Sequence, residues 1–292
     1  MATVDLLFAA LFNAAVLFLV TAGLQLIFGV QRIVNLTAGS LYAFGAYFGA
    51  SVFEWFSAQG GPAVLLLPVL IVAGLLAGQV GFLVERVLRT VYGREEAFQL
   101  LMTFAFVLMF QDVLRYVWGA QPRLLADLPS VYGMIAIGAF TFPAYNAAVI
   151  ACALLVAGLL WWLIDRTPLG HIIRATAENR QMAEALGADT RRINMLVFVL
   201  GSMLGTVGGA LVIPTTAASL EMPIALIVET FAVVVIGGLG SIRGAFLGAL
   251  IVGLLRALSL SYFPEMEVMS IYLVVVFVLV LRPYGLFGKA AA

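Results

Sequence analysis

Long apolar runs recur along the chain and alternate with short polar stretches. Five runs are long enough to cross a bilayer as helices of about 20 residues, and they span 6–29, 64–84, 97–118, 143–164 and 193–213. Shorter apolar runs follow the same pattern and span 36–53, 226–238, 244–258 and 266–282. This pattern predicts an all-α polytopic integral membrane protein that forms one domain over residues 1–292.

The number of crossings depends on the short runs. Only Leu239 to Arg243 separates 226–238 from 244–258, so 226–258 is predicted to be two half-helices or one long broken helix. With 36–53 counted as one crossing and 226–258 as one broken element, the chain has about eight transmembrane helices. One or two more would result if each short run crosses separately.

Basic residues indicate the orientation of the chain. The loops assigned to the cytoplasm carry twelve of the fifteen basic residues, with five of them between residues 165 and 192. The opposite loops carry mainly acidic residues, namely Glu54, Asp127, Glu221, Glu265 and Glu267. Because Lys and Arg concentrate in cytoplasmic loops, we predict an outside N-terminus and an inside C-terminus.

The composition excludes several classes of protein. Hydrophobic residues make up 64% of the chain and charged residues 10%, and the mean hydropathy is +1.13. These values lie outside the range of soluble domains and exclude a disordered chain. The net charge is zero, so nothing indicates nucleic-acid binding, and the single cysteine, Cys152, excludes an intrachain disulfide.

The longest polar segment, residues 165–192, is predicted to contain a short cytoplasmic helix. Thr167 is suited to cap its start, Pro168 to occupy its first position, and Gly187 to end it in the left-handed conformation. The apolar side chains of the segment recur at helical spacing at Ile172, Ala175, Met182 and Leu186. Two predicted ion pairs at a spacing of four residues are Arg174–Glu178 and Arg180–Glu184. Such a helix either lies on the inner leaflet or docks into a groove of a soluble partner.

Four segments of the chain resemble those of one transporter family. The run Ala183-Glu184-Ala185-Leu186-Gly187 resembles the EAA-type motif of ABC importer permeases, and its surroundings resemble the cytoplasmic loop of the branched-chain amino acid permease family. The NLTAGSLY run from Asn35 resembles that family's broken-helix motif, although Ala38 stands where family members commonly have His. The glycine-rich run 231–248 and the closing RPYGLFG of residues 282–288 resemble two further family segments.

The resemblance implies a division of labour among subunits. This chain would form half of a channel in the cell inner membrane, beside a second homologous permease subunit. Two cytoplasmic ABC ATPase subunits would dock on the EAA-type segment, and a periplasmic binding protein would deliver the solute. The chain lacks a phosphate-binding loop of its own, so we expect no catalytic residue, metal or cofactor in it. The candidate ATPase-coupling residues are Arg174, Glu178, Ala183, Glu184, Ala185, Leu186 and Gly187.

The solute path is predicted where helices are short or broken, because transporters place helix ends and unwound backbone at the solute. The candidate residues are Gln25, Asn35, Thr37, Gly39, Ser40, Gly237, Gly238, Gly240, Ser241 and Gly244. For the glycines the alternative is close helix packing without a ligand, and for Asn35 it is capping of a helix. Branched-chain amino acids are the first expectation for the solute, and other amino acids, short amides, aromatic acids and dicarboxylic acids remain open.

Three other classes of membrane protein fit the sequence less well than an ABC permease. An ion-coupled secondary transporter would need an embedded carboxylate for its ion, for which only Asp112 and Glu229 are available. An intramembrane enzyme would need a zinc site or a nucleophile motif that the chain lacks. A channel would need rings of like groups that form a filter. Asp112 is expected to pair with Arg115, and Arg256 to extend toward the outer surface.

The orientation can be tested by cysteine labelling. Cysteines placed at Glu54 and Glu265 should react with a membrane-impermeant reagent that is applied to intact cells. A cysteine at Arg180 should react only after the membrane is permeabilised, because the charge bias places it in the cytoplasm. Labelling of position 180 in intact cells would overturn the orientation and the docking helix with it.

Overall fold

The computed structural model describes residues 2–125, 132–137, 140–282 and 285–287, and these are almost entirely helical. Asp127, Pro283, Tyr284, Gly288 and Lys289, which entered the sequence analysis, lie outside the described residues. The α-helices are α1 Ala2–Gln31, α2 Thr37–Ala58, α3 Leu66–Gly78, α4 Val80–Leu88, α5 Glu96–Trp118, α6 Ala144–Arg166, α7 Pro168–Glu178, α8 Arg180–Ala185, α9 Thr190–Val212, α10 Met222–Gly237, α11 Ile242–Tyr262 and α12 Glu267–Leu281. Strands β1 Met134–Ile137 and β2 Phe140–Pro143 pair antiparallel before α6.

Six helical segments are long and apolar enough to span a membrane: Leu6–Gln31, Ala63–Val91, Glu96–Trp118, Ala144–Arg166, Thr190–Val212 and Ile242–Tyr262. The segment Ala63–Val91 consists of α3 and α4 with short 3-10 turns at its two ends. Two apolar helices are shorter, Met222–Gly237 and Met269–Leu281. Helix α2, with 22 residues, packs among these helices. The six long apolar segments confirm an all-α polytopic membrane fold. The count of about eight crossings, the bounds of the spans and the orientation of the termini stay predictions.

Helix α9 lies at the centre of the bundle, and glycines set its distance from its neighbours. Its residues Gly201 and Gly209 face the backbones of α1 and α2, where an added Cβ would overlap the carbonyl oxygens of Gly23 and Tyr42. On another side, Gly74 of α3 abuts the backbone of Val207. Small residues of this kind allow helix backbones to approach closely, which stabilises association in lipid.

Helices α10 and α11 form an antiparallel hairpin. Gly237 and Gly244 lie back to back, and the turn between them contains Gly238 and Gly240 at φ +93° and +77°. The alternative of one long broken helix for 226–258 is therefore wrong, because this glycine turn reverses the chain. Helix α10 has 16 residues and stays a candidate half-helix, whereas α11 is long enough to span a membrane. Helix α11 is also longer than predicted, with 21 residues.

The closing segment of the chain, residues 285–287, follows α12 and lies against this hairpin. The backbone amides of Leu286 and Phe287 donate to the carbonyl oxygens of Ile236 and Gly237 at 2.8 and 3.0 Å. These carbonyls lie in the last turn of α10, where no backbone amide of the same helix can donate to them. The closing segment therefore caps α10.

Helix α2 begins inside the bundle. The chain leaves α1 at Gln31, is non-helical through residues 32–35, and enters α2 at Thr37. The carbonyl oxygen of Val34 accepts a 3.4 Å hydrogen bond from the hydroxyl of Thr103, which lies seven residues into α5, or about 10 Å along the helix. The α1–α2 connection therefore lies beside the second turn of α5, and α2 extends over 22 residues to Ala58, beyond the predicted 36–53.

The central seam can be tested with a pair of glycine substitutions. Gly209→Ala should lower the thermal unfolding midpoint of the purified protein in detergent, by the equivalent of about 1–3 kcal/mol, because its Cβ has no room beside Tyr42. Gly158→Ala in α6 is the matched control, since a Cβ there meets nothing within 4 Å. It should leave the midpoint unchanged or raise it slightly. Equal effects of the two substitutions would contradict the close packing of α9.

Candidate functional site

The polar segment between α6 and α9 forms two short helices joined by a bend. The hydroxyl oxygen of Thr167 accepts a 3.1 Å hydrogen bond from the Gly170 amide, and Pro168 occupies the first turn, which confirms the predicted start. The predicted single helix is wrong, because Asn179 leaves the helical conformation at φ −147° and ψ 97°. Its Oδ1 then accepts a 2.9 Å hydrogen bond from the Met182 amide and caps α8.

The EAA-like run supplies the end of α8. Gly187 has φ +90°, as predicted for a left-handed stop. Its amide donates to the carbonyl of Glu184 at 3.0 Å, and the amide of Ala188 donates to the carbonyl of Ala183 at 2.9 Å. This pair of bonds is a Schellman motif, in which glycine at the left-handed position satisfies the last carbonyls of the helix. The sequence of the run therefore fixes where the chain turns toward α9.

The predicted apolar stripe of this segment faces away from the protein. Ile172, Met182 and Leu186 are 39%, 57% and 81% exposed, and Ala175 and Ala185 are exposed beside them. Ala183 is 4% exposed. Among the candidate coupling residues, Ala183 therefore anchors α8 to the bundle, while Leu186 and Ala185 belong to the exposed stripe.

The charged residues of the segment pair partly as predicted. Arg180 and Glu184 are joined at 3.0 Å, as predicted. The predicted Arg174–Glu178 pair is not formed: Arg174 instead contacts Asp165 of α6 at 2.9 Å. Glu178 is exposed and lines a cavity of about 280 Å³ at the bend. A hydrogen bond from the Thr190 hydroxyl, and a second from Arg180, lower the pKa of the Glu184 carboxyl.

Sequence reasoning missed the cavity itself. Arg32, Tyr92 and Asn194 line it from three separate elements, and Arg32 also donates to the Ala177 carbonyl at 3.1 Å. Asn194 is 4% exposed, and its Oδ1 has no hydrogen-bond partner among the described residues. Burial raises the pKa of the Tyr92 hydroxyl. No local pattern marks these residues, because the end of α1, the α4–α5 connection and α9 bring them together only in the folded bundle.

Gln25 of α1 holds the turn of the α10–α11 hairpin. Its side chain is 1% exposed, and its Nε2 donates to the Gly238 carbonyl at 2.9 Å. Its Oε1 accepts a hydrogen bond from the Gly240 amide. Both polar ends of the amide are thus used to hold the glycine turn, and a role of Gln25 in the path stays a prediction.

The start of α2 contains buried polar groups without partners. The Oδ1 of Asn35 accepts hydrogen bonds from the Thr37 amide at 3.0 Å and from the Thr37 hydroxyl, so the side chain does cap the helix. Its Nδ2 and the Oγ of Ser40 have no hydrogen-bond partner among the described residues, although the two residues are 1% and 0% exposed. Gly39 packs against the carbonyl of Pro223 in α10.

The structure brings the two candidate path segments to adjacent positions. Ala38 of α2 packs with Leu24 of α1 and Val234 of α10, one turn before Gly238. Ser241 caps α11, since its Oγ accepts a 3.0 Å hydrogen bond from the Gly244 amide. The glycines at 237 and 244 pack against each other. Packing and capping therefore account for the residues of the α10–α11 turn. The start of α2, by contrast, retains polar groups that have no hydrogen-bond partner among the described residues.

Charges inside the helices are arranged differently from the prediction. Arg256 contacts Glu229 across the hairpin at 2.9 Å, a pair that the sequence analysis did not predict, and its extension toward the outer surface stays a prediction. Within the described part of the chain, no ion pair joins Asp112 to Arg115, and both are exposed on α5. Glu229 and Arg256 are 27 residues apart, so their pairing follows from the hairpin and not from local spacing. No group of three metal-ligating side chains occurs among the described residues.

Comparison with known proteins gives one consistent result. Residues 6–281 match the model of the family described as "Branched-chain amino acid transport system / permease component". The chain is 25% identical over 281 residues to the high-affinity branched-chain amino acid permease protein BraD of Pseudomonas aeruginosa, covering 93% of this chain and 91% of that protein. It is 26% identical over 288 residues to LivH of Escherichia coli K12, with the same two coverages.

A solved structure is similar over most of the chain. PsaBC from Streptococcus pneumoniae in complex with Fab aligns with 92% of this chain and 87% of its own chain, at 13% identity and a TM-score of 0.48. The family match extends over nearly the whole sequence and includes the α7–α8 segment, both candidate path segments and all six long apolar helices. The chain therefore belongs to the branched-chain amino acid permease family of ABC transporters, as a multi-pass subunit of the membrane.

Proposed function

We propose that this permease subunit forms half of a translocation path for branched-chain amino acids. A second homologous permease subunit completes the path, a periplasmic binding protein delivers the solute, and two cytoplasmic ATPase subunits supply the energy. The relatives named for branched-chain amino acid transport, aligned over 93% of this chain, support the solute class. The observation that carries the subunit's role is the exposed apolar stripe on α7 and α8.

The stripe fits a docking site for a soluble subunit. Ile172, Met182 and Leu186 are large apolar side chains held outside the bundle on helices that are otherwise polar. The Schellman end at Gly187 and the cap at Asn179 fix the two helices without using these side chains. An apolar helix face of this kind binds in a groove of a partner, and exposed apolar side chains in contiguous patches mark such interfaces.

ATP hydrolysis therefore belongs to the partner subunits. In this arrangement the permease contributes no catalytic group, and its task is to convert the movement of the docked subunits into opening of a path. The resulting function is transport without chemistry on the solute.

The start of α2 is the best-supported part of the solute path. It lies inside the bundle at an interruption of the helical backbone, which is where transporters place solute-binding groups. Asn35 Nδ2 and Ser40 Oγ are buried and unpaired among the described residues. Leaving a polar group unpaired in the interior costs about 1–3 kcal/mol, so a hydrogen bond to a passing solute is a physical reason for their presence.

The structure offers little for the alternative of an ion-coupled secondary transporter. Such a protein needs an embedded carboxylate that can bind the coupling ion. Glu229 is in contact with the guanidinium of Arg256, and a neighbouring cation opposes cation binding. No specific observation favours this alternative.

The docking role can be tested at its most exposed side chain. Leu186→Ser should preserve the thermal stability of the permease, because the side chain is 81% exposed. It should reduce ATPase co-purification by about ten-fold, the loss that corresponds to burying a leucine in an interface. Arg191→Ser, an exposed position at the start of α9, is the control and should leave co-purification unchanged. Normal co-purification of the Leu186→Ser variant would sink the docking assignment.

The solute path can be tested with Ser40→Ala in the reconstituted transporter. Uptake of radiolabelled leucine should depend on ATP, and Ser40→Ala should lower it or change the preference among leucine, isoleucine and valine. The substitution removes an unpaired hydroxyl, so stability should be equal or higher. The control is Thr21→Val, which removes a buried hydroxyl that donates to the Leu17 carbonyl within α1. Unaltered uptake of all three amino acids by Ser40→Ala would exclude Ser40 from the path.

A further inference from the structure

The carboxylate of Asp165 joins three helices at the polar end of the bundle. Its Oδ1 accepts a 2.9 Å hydrogen bond from Nη1 of Arg174 in α7. Its Oδ2 accepts a 3.1 Å hydrogen bond from Nη2 of Arg243 in α11. Asp165 itself lies in the last turn of α6, and its side chain is 26% exposed. Each carboxylate oxygen thus has an arginine from a different helix.

Two of these charges are unfavourable for the helices that carry them. A helix has partial negative charge at its C-terminus and partial positive charge at its N-terminus. Asp165 places a carboxylate in the last turn of α6, and Arg243 places a guanidinium in the first turn of α11. Local helix stability therefore explains neither residue. Departures of this kind from local preference concentrate at functional sites, and here the two charges compensate each other across the fold.

The two arginines connect segments with separate candidate roles. Arg174 lies on α7, whose neighbouring side chain Ile172 belongs to the exposed docking stripe. Arg243 lies in the first turn of α11, directly after the α10–α11 turn, between the cap at Ser241 and the close contact at Gly244. The link thus runs from the docking surface to the inner end of a membrane hairpin.

The end of the hairpin is held together as one unit. Gln25 bonds both Gly238 and Gly240 of the turn, and the closing segment caps the last carbonyls of α10. Coupling between sites travels through rigid elements that have discrete arrangements. A shift of α7 would therefore act on the whole turn through Asp165.

We propose that Asp165 is a positioning residue that transmits movement of the ATPase-docking helices to the α10–α11 hairpin. This inference rests on the proposed function, because it requires α7 and α8 to contact the ATPases. Asp165 acts through Arg174 and Arg243 and has no contact with the solute.

The test follows the hairpin turn in the assembled transporter of permeases, ATPases and binding protein. A reporter cysteine replaces Leu239, which is 53% exposed in the turn, in a Cys152→Ala background. The labelling rate of this cysteine by a maleimide is compared without nucleotide and after trapping with ATP and vanadate. With Asp165 present, trapping should change the rate by roughly three-fold, a factor within what an exposed ion pair can sustain.

The variants separate transmission from general stability. Asp165→Asn keeps the size of the side chain and removes its charge, so the response to trapping should disappear while ATPase co-purification persists. Asp165→Glu should restore the response in part. Arg243→Gln should have the same effect as Asp165→Asn on the response, and the double variant should be no worse than Asp165→Asn, since both changes break the Asp165–Arg243 pair. Arg192→Gln is the matched control. It removes an exposed ion pair with Asp189 in which both residues lie at the start of α9, so the response should remain.

The outcomes distinguish the inference from the proposed function. If the Asp165→Asn complex assembles and its labelling still responds to trapping, transmission through Asp165 is overturned. The same conclusion follows if a complex with intact Asp165 assembles and traps nucleotide without any response at Leu239→Cys. If the native chain captures no ATPase at all, the proposed docking surface fails and the inference fails with it.

Discussion

The close approach of helix backbones around α9 is the constraint on which the rest of the fold depends. In lipid, apolar side chains gain little from contact with one another compared with contact with the acyl chains, so association relies on close packing and on polar contacts. Gly201 and Gly209 let α9 touch the backbones of α1 and α2, and Gly74 does the same for α3. With these helices fixed, the interrupted backbone before α2 and the α10–α11 turn are placed next to α1.

Polar contacts satisfy the backbone at three places where the helices are interrupted. Gln25 satisfies the turn at Gly238 and Gly240, Asn35 satisfies the start of α2, and the closing segment satisfies the end of α10. Backbone groups that leave a helix within a membrane need such partners. Among the described residues, Asn35 Nδ2 and Ser40 Oγ at the start of α2 have no hydrogen-bond partner, and for that reason the start of α2 is the stronger of the two path candidates.

The polar end of the bundle connects these breaks with the docking surface. Arg32, at φ +54°, leads from α1 into the segment before α2 and donates to the Ala177 carbonyl of α7. Asp165 connects α7 with the α10–α11 turn. The segment before α2 is therefore linked to α7 directly through Arg32, and the α10–α11 hairpin indirectly through Asp165 of α6; α7 carries part of the proposed docking stripe. This arrangement is what a subunit needs if movement of a bound ATPase is to reach the solute path.

The sequence by itself determined the features that depend on near neighbours in the chain. The apolar spans, the cap at Thr167, the stop at Gly187 and the Arg180–Glu184 pair follow from hydropathy, capping preference and helical spacing, and all of them are present. Only the tertiary structure decided the partners of Gln25, Asp165 and Arg256, which lie 213, 78 and 27 residues away along the chain. The reason is physical: a buried or paired polar group takes the partner that helix packing brings to it, and local sequence does not contain that packing.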